Sequence, residues 1–455
     1  MKIIETLKNV WKITELKDRI ILTLGILLVY RFGAQAPLPG IDASKLGALQ
    51  DSTSQGILGL INAFTGGGFS NASVFALGIM PYISASIVVQ LMGIAIPYLQ
   101  KLQKEGESGR KKINQITRWL TIGICLVQAP GYLASLPGLS GQASLSAILV
   151  PGFSTGTFYF SSVLILVTGC VFAMWLGEKI TDKGIGNGIS LLIMVGIIAT
   201  LPQSFLLNVA SRTDGAGNGS FMMILIELVI WFVIIIASVL LVMAVRKIQV
   251  QYARRTASGG FEKNVFGSRQ FLPLKLNASG VMPIIFAQAI MFVPSLIGGS
   301  SWLEGTTAGV WMQTNFSDIF GLWYNIVFGL LIIIFTYFYT AITVPTNKMA
   351  DDLKRSGGFI PGIRPGSETS EYLDKIMSQI TLPGSIFLAL IAVFPAFVQK
   401  LMGVQQGWAL FFGGTSLLIM VGVAIDTMQQ VNSYLLNKHY DGLMKTGKNR
   451  KSVGQ

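Results

Sequence analysis

Few residues in this chain are of types that do covalent or redox chemistry, and their positions argue against a catalytic centre. The one histidine is His439, close to the C-terminus. That leaves no imidazole for a Ser-His-Asp triad or a His-ligated metal within the apolar segments. The two cysteines, Cys125 and Cys170, stand in the runs TIGICLVQ and VTGCVFAMW. Without a CxxC or Cys/His spacing they read as small buried hydrophobes, not as zinc or iron–sulfur ligands. No GxxxxGK[ST] occurs, so any work with ATP or GTP must come from a partner, and no cofactor is expected. Ionisable groups in apolar stretches mark proton and ion paths. Here they are few: Glu227 and Asp426 lie toward the ends of their stretches, not at a midplane. What remains is neutral. Gln90, Gln128 and Gln288 either hydrogen-bond between helices or wet a seam. Ile83 and Ile87 stand four apart, as do Ile189 and Ile193, so each pair shares a helix face. Ordinary core or lipid-facing positions satisfy that spacing equally well.

The elements that carry these residues are membrane spans. Of the 455 residues 51% are hydrophobic and only 12% charged, about half the charge of an ordinary soluble domain. So few charges cannot cover a soluble globule of this size, which excludes a cytosolic enzyme or a disordered chain. Crossing about 30 Å of hydrocarbon takes about 20 mostly apolar residues in a helix. Ten stretches qualify: 20–40, 72–97, 116–135, 156–176, 185–204, 222–245, 280–299, 319–342, 379–398 and 406–428. The fold class is therefore an all-α polytopic membrane protein. The first span, interrupted by Arg31 and two prolines, and the fifth, which opens GIGNGIS, are the weakest. Broken spans of that kind line protein or water, not lipid.

The net charge is +13. With the N-terminus inside and the loops alternating, 30 of the 34 Lys and Arg residues fall on the inner side, leaving Arg31, Lys45, Arg212 and Lys400. This asymmetry places both termini in the cytosol. The opening MKIIETLKNVWKITELKDR is charged and amphipathic without a cleavage site, and reads as a cytosolic segment and not as a signal peptide.

Two inner loops exceed what topology requires. Residues 246–279 hold an alternating apolar stretch followed by Gly-Gly, the pattern of a small hairpin, with Arg254 and Arg255 beside it. Residues 343–378 hold GGFIPGIRPGSET, which presents Arg364 between two rigid corners. Basic loops can simply touch anionic lipid, but a paired arginine on a hairpin and one held in a turn favour a docking surface. On the other side, GILGLINAF at 56–64 is apolar, uncharged and, at about 14 Å of helix, too short to cross. Its apolar residues are Ile57, Leu58, Leu60, Ile61 and Phe64, and Gly66, Gly67 and Gly68 follow as a tether that allows swinging. It is either an interfacial or re-entrant helix or a movable stopper.

Long stretches of the chain are those of a known family. FALGIMPYISASIVVQLM, KLQKEGESGRKKINQITR, TDKGIGNGIS, PLKLNASGVMPIIFA and GGFIPGIRPGSET occur in this order, and the chain resembles the SecY family, in particular that of Bacillus-like bacteria. SecY is the channel subunit of the bacterial Sec protein translocon. The resemblance runs from the basic N-terminal segment into the tenth span. It implies two pseudo-symmetric halves of five helices that open like a clamshell, at a lateral gate between spans two and three and spans seven and eight. It implies a pore waist of aliphatic side chains, which falls on Ile83, Ile87, Ile189, Ile193, Ile285 and Ile419. By the same resemblance GILGLINAF is the plug and Gly66–Gly68 its hinge. Gln90, Gln128 and Gln288 belong with the gate, and Arg254, Arg255 and Arg364 dock a motor or ribosome. The partners implied are the small membrane subunits SecE and SecG, the SecA ATPase, the ribosome, signal-bearing preproteins and membrane lipid.

The expected organisation is a cytosolic segment 1–19 and an N-terminal half 20–204 with its plug at 56–68. An external hinge loop 205–221 leads to a C-terminal half 222–428 and a cytosolic tail 429–455. A ring of branched apolar side chains blocks water and ions without charge and imposes no hydrogen-bond pattern on a passing chain. Two other classes compete. A small-solute transporter needs a coordinating cluster at the midplane, which the sequence lacks, and a membrane protease needs paired carboxylates or a histidine there. Solute uptake by the chain alone would favour the transporter.

Overall fold

A computed structural model describes residues 13–42, 46, 56–140, 147–151, 154–213, 220–252, 269–278, 280–298, 306–316 and 318–450. Contacts divide the chain into two compact units. The first comprises Met1–Gly217, Gln405–Leu410 and Val423–Gln455, and the second Asn218–Val404 and Phe411–Gly422.

The first unit holds helices α1 (Thr14–Gln35), α2 (Gly56–Thr65), α3 (Met80–Ala95), α4 (Pro97–Lys104), α5 (Glu107–Leu139), α6 (Thr155–Lys183) and α7 (Gly188–Thr213). Local chemistry sets their ends. Ser154 caps α6 by accepting from the Thr157 amide at 3.4 Å, and Asn187 caps α7 by accepting from the Ile189 amide at 3.2 Å. The GIGNGIS motif is therefore a helix start, with Asn187 as its cap. The span expected from residue 72 begins as a helix only at Met80, with Pro81 in its first turn. Before it, residues 66–79 form a chain of turns. The core of this unit gathers Leu38, Phe69, Ala129, Tyr132, Leu133, Leu136, Phe158 and Leu166, all buried, from α1's exit, the turns, α5 and α6.

The second unit holds α8 (Ser220–Met243), β1 (Val245–Tyr252), β2 (Arg269–Lys275), α9 (Met282–Gly298), α10 (Thr307–Phe316), α11 (Leu322–Thr343), α12 (Thr346–Arg355), β3 (Gly358–Phe359) and α13 (Ser367–Met402). The short α14 (Gln406–Ala409) belongs to the first unit, and the long α15 (Gly414–Arg450) begins in the second and ends in the first.

The hairpin expected in the first long inner loop forms. β1 pairs antiparallel with β2 from Val245 opposite Lys275 to Gln251 opposite Arg269. Ile248 and Val250 are buried while Arg246, Lys247 and Gln249 face out, the period-2 alternation of a half-buried strand. A third strand comes from the second long loop, where Gly358 and Phe359 pair with Tyr252 and Gln251. The chain is thus mostly helical but carries a three-stranded sheet, packed on Leu353, Leu373, Ile376 and Ile380 of α12 and α13.

Each of the ten predicted spans overlaps a helix, the tenth running over α14 and the start of α15. Among the described residues, six segments are long and apolar enough to cross a membrane alone: α5, α6, α7, α8, α11 continued by α12, and α13. Two bent pairs, α3 with α4 and α14 with α15, raise the number to eight. The described apolar part of α9, Met282–Met291, is shorter. α1 carries Lys17, Asp18, Arg19 and Arg31, which dilute its apolar character.

Candidate functional site

The short apolar helix α2 lies against α7. Backbone sets that seat: at Gly196 of α7 a Cβ would stand 2.8 Å from the Phe64 carbonyl oxygen and 3.2 Å from the Gly66 nitrogen. Only a bare Cα admits so close an approach. Gly196 follows Ile189 and Ile193 at i+7 and i+3, so α2 rests on the face of α7 that carries both isoleucines. Leu60 and Phe64 are buried, and Leu58 and Ile61 pack half-buried against the core of the first unit. The side chain of Ile57 lies outside the described residues.

The three glycines form a defined turn. Gly66 and Gly67 adopt φ of 64° and 87°, the left-handed values that end a helix. The Gly67 amide donates to the Asn62 carbonyl at 2.9 Å. Asn62 Oδ1 accepts from the Ser70 amide at 3.0 Å, and Thr65 Oγ1 from the Phe69 amide at 3.1 Å. The exit turn is anchored to α5 by the Tyr132 hydroxyl, which donates to the Phe69 carbonyl at 2.9 Å while its ring packs 4.8 Å from that of Phe69. Arg31 of α1 reaches the end of α2, where its Nη1 donates to the Gly66 carbonyl at 2.6 Å.

The six candidate waist residues divide between the units. In the first, Ile87 and Ile193 are buried at 7% and 6% exposure, and Ile83 and Ile189 are half-buried. The Ile189 side chain lies over Gly177 of α6. In the second, Ile419 is buried and Ile285 half-buried. They flank one polar link, in which Thr415 Oγ1 donates to Gln288 Oε1 at 2.8 Å. Ile285 precedes Gln288 by three residues and Ile419 follows Thr415 by four, so each lies on the same face as its bonded neighbour.

The three glutamines part company. Gln288 is buried and bonds between helices. Gln90 is half-buried and donates to Ser86 within its own helix at 3.3 Å. Gln128 is exposed on α5. Arg254 and Arg255 lie outside the described residues. Arg364 is presented outward, its side chain 88% exposed and 3.8 Å from Glu368. Its backbone is fixed from behind by Thr369 Oγ1, which donates to the Arg364 carbonyl at 2.8 Å.

Sequence reasoning missed Arg31 and Gly196. Arg31 carried a signal, because a lone cation in an apolar span is a functional candidate by default. Gly196 carried none, since its role exists only once α2 meets α7.

Long apolar helices, a short helix folded back onto one of them and a basic three-stranded sheet define a polytopic helical membrane protein. Its fold is that of solved protein-conducting channels. One structure, described as that of a protein conducting channel, aligns with a TM-score of 0.58 at 17% identity, covering 91% of both chains. Another, described as a SecY whose plug domain stabilises the closed state of the translocation channel, gives 0.59 at 18% identity. Sec61 from a canine ribosome-channel complex gives 0.53 at 16%. The SecY family model matches residues 73–428. Protein translocase subunit SecY of Escherichia coli K12 is 40% identical over 449 residues, 97% of this chain and 96% of its own. That of Streptomyces scabiei is 39% identical over 441 residues, 96% and 98% of the two chains. The chain belongs to the SecY family.

Proposed function

We propose that the chain is the pore subunit of a Sec translocon. It conducts unfolded secretory polypeptides across the bacterial plasma membrane and releases signal sequences and transmembrane helices sideways through a lateral gate. The observation that carries this reading is the seat of α2: an apolar, uncharged helix too short to cross, resting on the face of α7 that bears Ile189 and Ile193. That is the arrangement of a stopper beside an apolar waist. Ile83, Ile87, Ile285 and Ile419 complete the waist, which excludes ions by dewetting and not by charge. An apolar signal helix leaves through the gate because burial in lipid removes its surface from water.

The chain performs no chemical step of its own, and the driving force comes from a partner, the SecA ATPase or a translating ribosome. Arg364, with Arg254 and Arg255, forms the docking face. SecE and SecG accompany the chain in the membrane. Both termini lie in the cytosol, as the 30 of 34 cations on one side support. Purified complex in proteoliposomes, given motor and ATP, should carry an unfolded preprotein into a protease-protected space. Protection without this chain, or none with it, would reject the proposal.

A further inference from the structure

We infer that Arg31 is a latch that holds the plug in its seat, a positioning residue that sets how readily the channel opens. The inference rests on reading α2 as the plug.

The bonds that shape the end of α2 are mostly internal to it. Asn62 to Ser70, Thr65 to Phe69 and Ser70 to Gly67 join residues within one short segment, so they travel with the helix if it moves. The apolar contacts of Leu58, Leu60, Ile61 and Phe64 are non-directional and tolerate sliding. Among the described residues, two side chains from other helices bond directly to the backbone of the segment. Tyr132 holds Phe69, further along the turns, and Arg31 holds Gly66, the residue that directly follows the last turn of α2.

The position suits a cation. The C-terminal end of a helix carries partial negative charge and unpaired carbonyls, which an arginine at that end satisfies and neutralises. A charged donor makes this bond stronger than a neutral one. The site has no slack: a Cβ on Gly66 would fall within 2.8 Å of the Gly196 Cα and at hard contact with Arg31 Nη1. The carbonyl end of α2 is thus sandwiched between α1 and α7. Arg31 is itself fixed, because its neighbour Tyr30 is fully buried and stacks on Phe75 at 5.4 Å. Arg31 is only half-buried, so water can solvate it once the plug departs. A latch must have that property to open reversibly.

The test uses the full chain, co-expressed with its membrane partners, carrying Ala63→Cys on the buried side of α2 (6% exposed). In this background Arg31 is left unchanged or replaced by Lys, which keeps a charged donor of similar reach, or by Met, which keeps the length without the donor. Labelling by a membrane-impermeant maleimide from the outer face and resting ion conductance are both measured. Arg31→Met should label at least about tenfold faster than the parent and conduct more ions at rest, with Arg31→Lys close to the parent. Cys125 and Cys170, both buried, should stay unlabelled throughout. Equal labelling of the Met variant and the parent would overturn the latch, as would labelling of Cys125 and Cys170 along with position 63. Faster labelling with unchanged conductance would keep the latch and reject the plug.

Discussion

Thr415 donates its hydroxyl to Gln288 Oε1 across 2.8 Å, in a place where the two residues are only 3% and 6% exposed. The bond joins α9 to α15 one turn from Ile285 and Ile419. It fixes the rotation of both helices, and with it the direction in which these two isoleucines point.

Thr415→Val strips the donor and leaves a buried amide oxygen unsatisfied, at a cost of about 1–3 kcal/mol. Gln288→Leu should cost less, because the threonine hydroxyl, in the first turn of α15, can turn to a carbonyl of the turn that precedes the helix. The double variant should be more stable than the sum of the two costs implies, with a coupling of about 1 kcal/mol. Thermal unfolding of the four proteins in detergent measures this, and strictly additive losses would show that the bond contributes nothing.

Gly196→Ala puts a methyl 2.8 Å from the Phe64 carbonyl oxygen. Neither partner can yield easily, since one is helix backbone and the other the seated end of α2. Such overpacking costs about 1–3 kcal/mol, and displacing the short α2 is the easiest relief. We expect raised resting conductance in planar bilayers with near-normal protein levels. A variant as tight as the parent would mean that α7 itself gives way.

Arg364→Glu should leave the fold intact, because the side chain is 88% exposed and its 3.8 Å ion pair with Glu368 is a surface contact. Pairs of this kind contribute less than about 1 kcal/mol. The expected loss is in motor-driven export, by an order of magnitude or more, with membrane insertion of the chain unchanged. Full translocation by the reconstituted variant would remove Arg364 from the docking face.

What could be read from the sequence follows the physics of each part. Apolar length is local information, so α8 and α11 fall within three residues of their predicted limits, and α6 starts within one residue of its own but runs on to Lys183. The second span starts later than its predicted residue 72 because the turns at 72–79, ASVFALGI, are as apolar as the helix they precede, and only Pro81 marks the true start. α13 runs well beyond its predicted 379–398, back to Ser367, because its first turns are held by packing under the sheet and not by apolar content. β3 was invisible: two residues in a Pro/Gly turn become a strand only because β1 offers its edge. At the site, the isoleucine pairs were legible as helix faces and α2 as a short apolar helix. Contacts made by backbone, such as Gly196 on Phe64 or Arg31 on Gly66, leave no pattern in side-chain types, and they position α2.

The most direct test is to place a photo-reactive residue at Ile87 or Ile193 and stall a preprotein midway with motor and ATP. Both positions should capture the stalled chain only when ATP is present, whereas Leu240, 66% exposed on the outer surface of α8, should capture none. Capture at Leu240 but not at Ile87 or Ile193 would contradict a polypeptide path through an isoleucine-lined waist.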